Sequence, residues 1–301
     1  MHTRTLALLW FGLLLLGSDV RAQTSQPPPS LQAAVDTVLS AYPEATVAVA
    51  VRDPASGIMF DLRADRSFHA ASTMKVPVMI EVFAQSERGR FALDDSLVIR
   101  NTFRSIVDGS AYSISDDSDT EIYEHEGESM SIRALTERMI TQSSNLATNL
   151  VIEYVTPDSV RQTLERLGAG DMHVLRGVED IKAYRQGLSN TTTAGALATL
   201  LLALMEGRAV SPAADRAMID ILLDQEHNSM IPAGLPEGTR VAHKTGWITR
   251  IHHDAAIVYP TEQPPYVLVV LTEGVEEHAR SSHLGAKIAR AVHTALRGEE
   301  N

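Results

Sequence analysis

Ser72-Thr73-Met74-Lys75 opens a helical pattern that runs to Ser86, and Lys244-Thr245-Gly246 lies inside the strand-like run Arg240–Ile248. How these two stretches are read decides the fold. Residues i and i+3 share one helical face, so the Ser72 hydroxyl and the Lys75 amine can meet. A serine is a weak nucleophile until a base takes its proton, and a lysine amine serves when burial and a neighbouring cation keep it neutral. A helix start also places partial positive charge where an oxyanion would form. Alone, the pair is weak: about one Ser-x-x-Lys is expected by chance in a chain of average composition and this length.

Alternation along a strand sends Lys244 and Gly246 to one face and Thr245 to the other. Gly246 permits close approach to the backbone, and a cation beside a cleft would bind a carboxylate and lower the pKa of Lys75. A third stretch, Ser143-Ser144-Asn145, follows one helical pattern (Leu135, Met139) and precedes another (Leu146, Leu150). At such a corner a second hydroxyl can relay a proton and an amide can hold a carbonyl. The same tripeptide also reads as an ordinary helix cap.

Outward from these motifs, a helix is expected from Ser30, limited by Pro43. Thr46–Arg52 and Met59–Arg63 read as strands joined by the turn Asp53–Gly57. Helical patterns cover Thr73–Ser86, Ser131–Gln142, Asn145–Tyr154, Asp158–Leu167, Thr192–Glu206 and Pro212–Leu223. Strand-like runs follow at Arg240–Ile248, His253–Tyr259 and Tyr266–Thr272, and a last helix spans Ala279–Leu296. The expected class is α+β: an antiparallel sheet flanked by the N- and C-terminal helices, plus an all-helical lobe. The division is a leader at 1–22, a linker at 23–30, an α/β lobe from 31–71 and 226–301, and a helical lobe at 72–225.

In this order and spacing the three motifs resemble the Ser-x-x-Lys, Ser-Asp-Asn and Lys-Thr-Gly set of class A β-lactamases and penicillin-binding proteins. The resemblance covers nearly all of the chain after the leader. It implies a secreted serine β-lactamase in which Ser72 attacks the lactam carbonyl and Lys75 accepts its proton. Ser143 protonates the lactam nitrogen, and Asn145 orients substrate and Lys75. Lys244 and Thr245 bind the substrate carboxylate, and the amides of Ser72 and Trp247, the latter following Gly246, form the oxyanion hole. The alternative is a related D,D-peptidase or esterase-like serine hydrolase that acylates with β-lactams and deacylates slowly. A catalytically silent binding module is a third reading, which the joint retention of Ser72, Lys75, Ser143 and Lys244 argues against.

Two departures from the family concern its motifs. Ser144 stands where the family has a mainly structural aspartate. The loop that should carry the deacylation base begins Arg176-Gly177-Val178-Glu179-Asp180, one residue wider than Arg-x-Glu, and ends Asn190-Thr191-Thr192-Thr193 with asparagine for aspartate. Glu179 is the best candidate base, Asp180 the alternative, and a structural carboxylate the third possibility. The family's Glu-x-x-x-Asn pairing is absent, since Ala183 occupies the fourth position.

The stretch between Ser72 and Ser143 is longer than usual and contains an acidic segment, Asp116 to Glu128, that reads as a solvated loop. A calcium site through Asp117, Asp119 and Glu121 would lack the EF-hand glycine. Tyr112, Phe103 and Tyr123 are equal candidates for the cleft entrance. His252-His253-Asp254 lacks metal-motif spacing and reads as structural, and Arg250 reads as an exposed hairpin residue or a carboxylate aid. No Gly-x-Ser-x-Gly elbow occurs.

Arg4, the apolar run Leu6–Leu16 and Val20-Arg21-Ala22 read as a secretory leader cleaved after Ala22. The run is short for a membrane span. The full chain of 301 residues carries a net charge of −12, and losing Arg4, Arg21 and Asp19 leaves the remainder one unit more negative. Such charge disfavours nucleic acid or an anionic membrane as partner. The absence of cysteine excludes disulfides and thiolate metal sites and suits an exported bacterial protein. No cofactor or metal is expected; the expected partner is a small β-lactam and the expected state a monomer.

Overall fold

The run Tyr-Val-Leu-Val-Val-Leu-Thr-Glu at 266–273 shows no apolar–polar alternation, because it is the central strand of a sheet covered on both faces. Seven of its eight residues are buried. The structure, a computed structural model, describes residues 29–298. The expected leader and residues 23–28 of the linker lie outside the described residues, while Pro29 and Ser30 belong to the first helix.

In chain order the structure has α1 (Pro29–Leu39), β1 (Thr46–Asp53), β2 (Ile58–Leu62), β3 (Phe68–His69), α2 (Lys75–Glu87), β4 (Ser96–Val98), β5 (Phe103–Arg104) and β6 (Ala111–Tyr112). It continues with β7 (Ser129–Ser131), α3 (Ile132–Thr141), α4 (Asn145–Val155), α5 (Pro157–Arg166), α6 (Ile181–Arg185), β8 (Thr191–Thr192), α7 (Ala194–Met205) and α8 (Pro212–Leu223). It closes with β9 (Arg240–Ile248), β10 (Ile251–Tyr259), β11 (Tyr266–Glu273) and α9 (His278–Arg297). The expected α+β architecture is present. Five antiparallel strands run in the order β2-β1-β11-β10-β9. The first two strands of the chain are thus joined to the last three, with Thr46 opposite Glu273 and Arg52 opposite Val267.

Alternation sorts the sheet's side chains into two cores. Val47, Val49, Leu268 and Val270 pack with Leu31 and Val35 of α1 and with Leu284, Ile288 and Val292 of α9. Ala48, Ala50, Val267 and Val269 face the helical region, including Met79, Leu146 and Leu200. Each fully buried aliphatic side chain contributes about 1.5–3 kcal/mol. The apolar helix α7 lies across β1, β10 and β11, so it has almost no polar face.

Cap chemistry sets most helix starts. Ser131, Ser144, Thr193 and Ser211 each accept a backbone N–H from the first turn of the following helix. Thr156 does the same for α5, where Pro157 occupies the first turn.

Most expected elements are offset by a residue or two, β10 for example starting at Ile251 rather than His253, and two of the differences bear on the cleft. The helix expected from Thr73 begins as a 3-10 turn, Ala71–Met74, and becomes α-helical only at Lys75. Ala70 O accepts both Thr73 N–H (3.1 Å) and the Thr73 hydroxyl (2.6 Å), which tightens the turn. The helix expected from Thr192 starts at Ala194, because Thr191 and Thr192 pair with His69 and Phe68. Among the described residues no helix is long and apolar enough to cross a membrane.

Candidate active site

The 3-10 turn carrying Ser72 lies against β9. A Cβ at Gly246 would sit 2.7 Å from Ser72 N and 2.9 Å from Thr73 N, so only glycine lets the strand approach this closely. Ala71, just before the serine, has φ +45°, a left-handed conformation unusual for a residue with a side chain. His69 Nδ1 accepts its N–H at 3.0 Å and holds it there. Ser72, Ser143, Asn145, Thr245, Gly246 and Trp247 line a cleft of about 440 Å³. That volume suits a small-molecule ligand.

Two amines and one hydroxyl meet beneath the cleft. Lys75 Nζ donates to Ser143 O (2.7 Å), Ser143 Oγ (3.1 Å) and Asn145 Oδ1 (3.0 Å). Lys244 Nζ donates to the same Ser143 Oγ at 3.0 Å and to Thr245 O at 2.9 Å. Ser143 is held at φ +60°, which turns both its carbonyl and its hydroxyl toward Lys75. Both lysines are fully buried. Burial lowers the Lys75 amine to about 7, against the opposing pull of the Asp117 and Glu179 carboxylates. Burial, then the neighbouring Lys75, pushes Lys244 well below its ordinary value. Amines this close to one oxygen oppose each other's charge, so their protons come off in separate steps. The hydrogen bonds of the Lys75 amine run to Ser143 and Asn145, and Ser72 stands one tight turn before it. In a 3-10 turn side chains at i and i+3 eclipse, which keeps Ser72 and Lys75 on one side.

The acidic segment is a solvated loop only in part. Asp116, Glu121, Glu124, Glu126 and Glu128 are exposed, residues 121–125 form a 3-10 turn, and Asp117 and Asp119 turn inward. Asp117 accepts Asn145 N on both oxygens (2.9 Å each), Leu146 N (2.8 Å), Asp119 N (3.1 Å) and the Tyr123 hydroxyl (2.9 Å). Asp119 is 3% exposed and takes a two-pronged contact from Arg138, at 2.7 and 2.8 Å. Neither aspartate is left facing solvent as a cation ligand. Asp117 caps α4 from 28 residues away, while the adjacent Ser144 caps only Ala147 N. Sequence reasoning names Asp117 only as a possible calcium ligand and misses this capping role, whose only signal is a run of acids that composition alone assigns to solvent.

Glu179 and Asp180 part company. Asp180 caps α6 through Ala183 N and accepts Ser105 Oγ and Ile106 N, a structural role that removes it as a candidate base. Glu179, at φ +58°, accepts Ser115 N (2.9 Å), Ser115 Oγ (3.2 Å) and Asp116 N (3.3 Å), and lies 3.4 Å from Asn145 Nδ2. It is therefore brought to the edge of the Lys75 network through Asn145.

Asn149 on α4 holds the loop, its amide bonding Val178 N (2.6 Å) and Val178 O (3.0 Å). A Cβ at Gly177 would sit 2.3 Å from Asn149 Oδ1, so a side chain there would displace the amide from Val178. At the loop's neck Asn190 brackets Leu175 N, Arg176 N and Arg176 O, and the Arg176 guanidinium bonds Leu188 O and Gly177 O. The asparagine supplies a donor that an aspartate lacks.

The remaining sequence candidates are structural or peripheral. His253 donates to His69 O and accepts Thr272 N, and burial lowers it to about 4. Asp254 accepts from buried His243 and from Ile231 N. Arg250 bonds Gly274 O and pairs with Glu276. Phe103 is buried, Tyr112 contacts Asn149, and Tyr123 serves Asp117. Trp247 ends the buried part of β9 with 61% of its surface exposed, and its ring packs at 5.0 Å against His278.

A family model described as "Beta-lactamase enzyme family" matches residues 30–296. "Beta-lactamase L2" of Stenotrophomonas maltophilia is 27% identical over 285 residues, covering 92% of this chain and 90% of that protein. A β-lactamase structure from Sphaerobacter thermophilus superposes with a TM-score of 0.77 at 28% identity, covering 90% of this chain and 98% of the other. A mutant of PBP-A, solved as an acyl-enzyme complex with penicillin-G, superposes with a TM-score of 0.79 at 27% identity, covering 92% and 99%.

Proposed function

The chain belongs to the beta-lactamase enzyme family, and from that premise we propose that it opens the β-lactam amide through a covalent acyl-enzyme on Ser72. The observation that carries this reading is the Ser143 hydroxyl, 3.1 Å from one buried amine and 3.0 Å from another, beside the cleft that Ser72 lines.

In this mechanism neutral Lys75 takes the Ser72 proton, directly or by way of Ser143, as Ser72 Oγ bonds the carbonyl carbon. The amides of Ser72 and Trp247 hold the developing oxyanion. When the C–N bond breaks, Ser143 gives its proton to the nitrogen, and a lysine proton replaces it. Lys244 and Thr245 hold the substrate carboxylate, and Asn145 holds the acyl carbonyl. Glu179 aims the water that releases the product. Residues 1–22 act as a cleaved leader that delivers a monomeric enzyme to the bacterial periplasm or exterior.

One observation favours a second reading, a D,D-peptidase or esterase-like enzyme that releases the acyl group slowly. The Glu179 carboxylate already accepts from Ser115 and Asp116, so less of it is free to hold a water. Steady-state assay on a chromogenic cephalosporin, with intact-mass timing of the acyl-enzyme, tests both. Turnover with an adduct living seconds or less supports hydrolysis; an adduct persisting for hours supports the second reading. No adduct on Ser72 with any β-lactam would refute the mechanism.

A further inference from the structure

We propose that His243 is held as an imidazolium that balances the Asp254 carboxylate behind Lys244, and so acts as a positioning residue for charge in the amine pair. The consequence for catalysis rests on the β-lactam reading above, which gives the two amines their roles.

Both ring nitrogens of His243 face oxygens that accept. Nδ1 lies 2.9 Å from Asp254 Oδ1, and Nε2 lies 3.1 Å from Asn228 Oδ1. Asn228 reaches the surface, yet its amide has a defined orientation, because Nδ2 donates to Gln225 O at 3.2 Å and to Glu226 O at 3.3 Å. Turning it over would set an oxygen against two carbonyls. A neutral imidazole has one N–H and would aim a lone pair at the other oxygen; the doubly protonated ring satisfies both. The two side chains are 1% and 0% exposed, and a carboxylate buried so completely needs a countercharge. The second Asp254 oxygen accepts Ile231 N at 3.0 Å.

The pair sits where its charge is felt. Asp254 is the cross-strand partner of Thr245, and His243 precedes Lys244 on β9 with its side chain on the other face. Burial, then Lys75, lowers the Lys244 amine, and Asp254 is the charge that opposes them. His227 and His252 are the other ionisable groups nearby. Burial lowers both, with smaller effects of His243 on the first and of Asp254 on the second. Asp220, Asp224 and Arg240 line an outer pocket with Asn228 and are exposed. An unbalanced Asp254 would draw a proton onto the Lys244–Lys75 pair. With His243 charged, the carboxylate is answered on its own side of the sheet, and the amines can shed their protons near neutrality.

NMR of the substrate-free enzyme tests this without turnover. In isotope-labelled protein at about pH 7.5, where an exposed histidine is mostly neutral, both ring nitrogens of His243 are expected to carry protons. A single protonated nitrogen overturns the proposal. The chain has four lysines, so labelled lysine reports the two buried amines directly. His243→Gln keeps a donor for Asp254 but not the charge, and the upper titration midpoint of the amine pair should rise by about one pH unit. Adding Asp254→Asn to that variant should return the midpoint. A simple packing role for His243 would not produce a shift that removing the carboxylate reverses. His243→Asn, smaller and equally neutral, serves should the first variant not fold. A midpoint that stays or falls when His243 is neutralised, or a rise that Asp254→Asn does not reverse, overturns the tuning role. An unsubstituted enzyme that hydrolyses no β-lactam would instead remove the parent reading and the use made of the amines, while the imidazolium stands or falls on the spectra.

Discussion

Both carboxylate oxygens of Asp117 accept the backbone N–H of Asn145, each at 2.9 Å, and one also takes Leu146 N at 2.8 Å. The start of α4, and with it Ser143 and Asn145, is therefore fastened by a side chain from the cleft wall. The local cap, Ser144, reaches only Ala147 N. Asp117→Ala leaves several donors unpaired and should cost about 2 kcal/mol in urea denaturation. Acylation should fall with it. Asp117→Asn keeps an acceptor but removes a charge that raises the Lys75 pKa. Its acylation limb should therefore move to lower pH, a shift that a purely structural role would not produce.

The Lys75 amine is held near 7 by burial. It is neutral above that pH and charged below it. Acylation measured by stopped flow should climb with pH to a midpoint close to 7. Lys75→Met should abolish the limb and slow acylation about 10²- to 10⁴-fold. An acylation rate independent of pH from about 5.5 to about 8.5, the range that brackets neutrality, would exclude Lys75 as the base.

Gly246 is where β9 meets the nucleophile. An added methyl would sit 2.7 Å from Ser72 N and must push strand and turn apart. Gly246→Ala should lose at least about 10² in kcat, in the range of a lost oxyanion donor, while circular dichroism stays native. Near-normal acylation would show that the oxyanion is not held at this contact.

Glu179→Gln keeps a side-chain oxygen for Ser115 N but removes the basic carboxylate. If Glu179 aims the water, intact mass should show accumulated acyl-enzyme with acylation little changed. Unchanged turnover removes it from the mechanism.

His253 is buried neutral, its pKa lowered from 6.5 to about 4. The unfolded chain therefore binds a proton between those values that the folded chain refuses. Stability tied to this group is fully present above pH ~6.5 and is lost as pH falls toward ~4, by about 3 kcal/mol at the extreme. Urea denaturation from about pH 7 to about pH 4.5 should show the decline, and His253→Gln should make it shallower, the rest belonging to His252, which burial also lowers to about 4. Equal slopes for both proteins would place the acid sensitivity elsewhere.

Much of this is legible in the sequence because chemistry and periodicity demand particular side chains. The motif at 72–75, the corner at 143–145 and the strand at 244–246 are recognisable as stretches, and the fold brings them to one cleft. Pro212–Leu223 is bounded correctly at both ends because Ser211 and Pro212 together mark a helix start. Asp117 is not legible, since its function depends on a partner 28 residues away and on no repeat pattern. Nor is the Asn149 clamp on Val178, which acts through backbone atoms that any residue offers. Two-residue strands such as Phe68–His69 carry too few positions for an alternation to show.

The pairing of β1 with β11 has a consequence for how the molecule comes into being. Thr46 lies beside Glu273, so the chain's opening strand waits for a neighbour made more than 200 residues later. Contacts of such separation are slow to form, because a long loop must close before they yield anything. A nascent polypeptide can assemble its helices early, yet the sheet stays open until the strand ending at Glu273 has been made. A circular permutant that joins the ends of α1 and α9 and opens within a surface loop of the helical region would turn this into a short-range pairing and should refold faster.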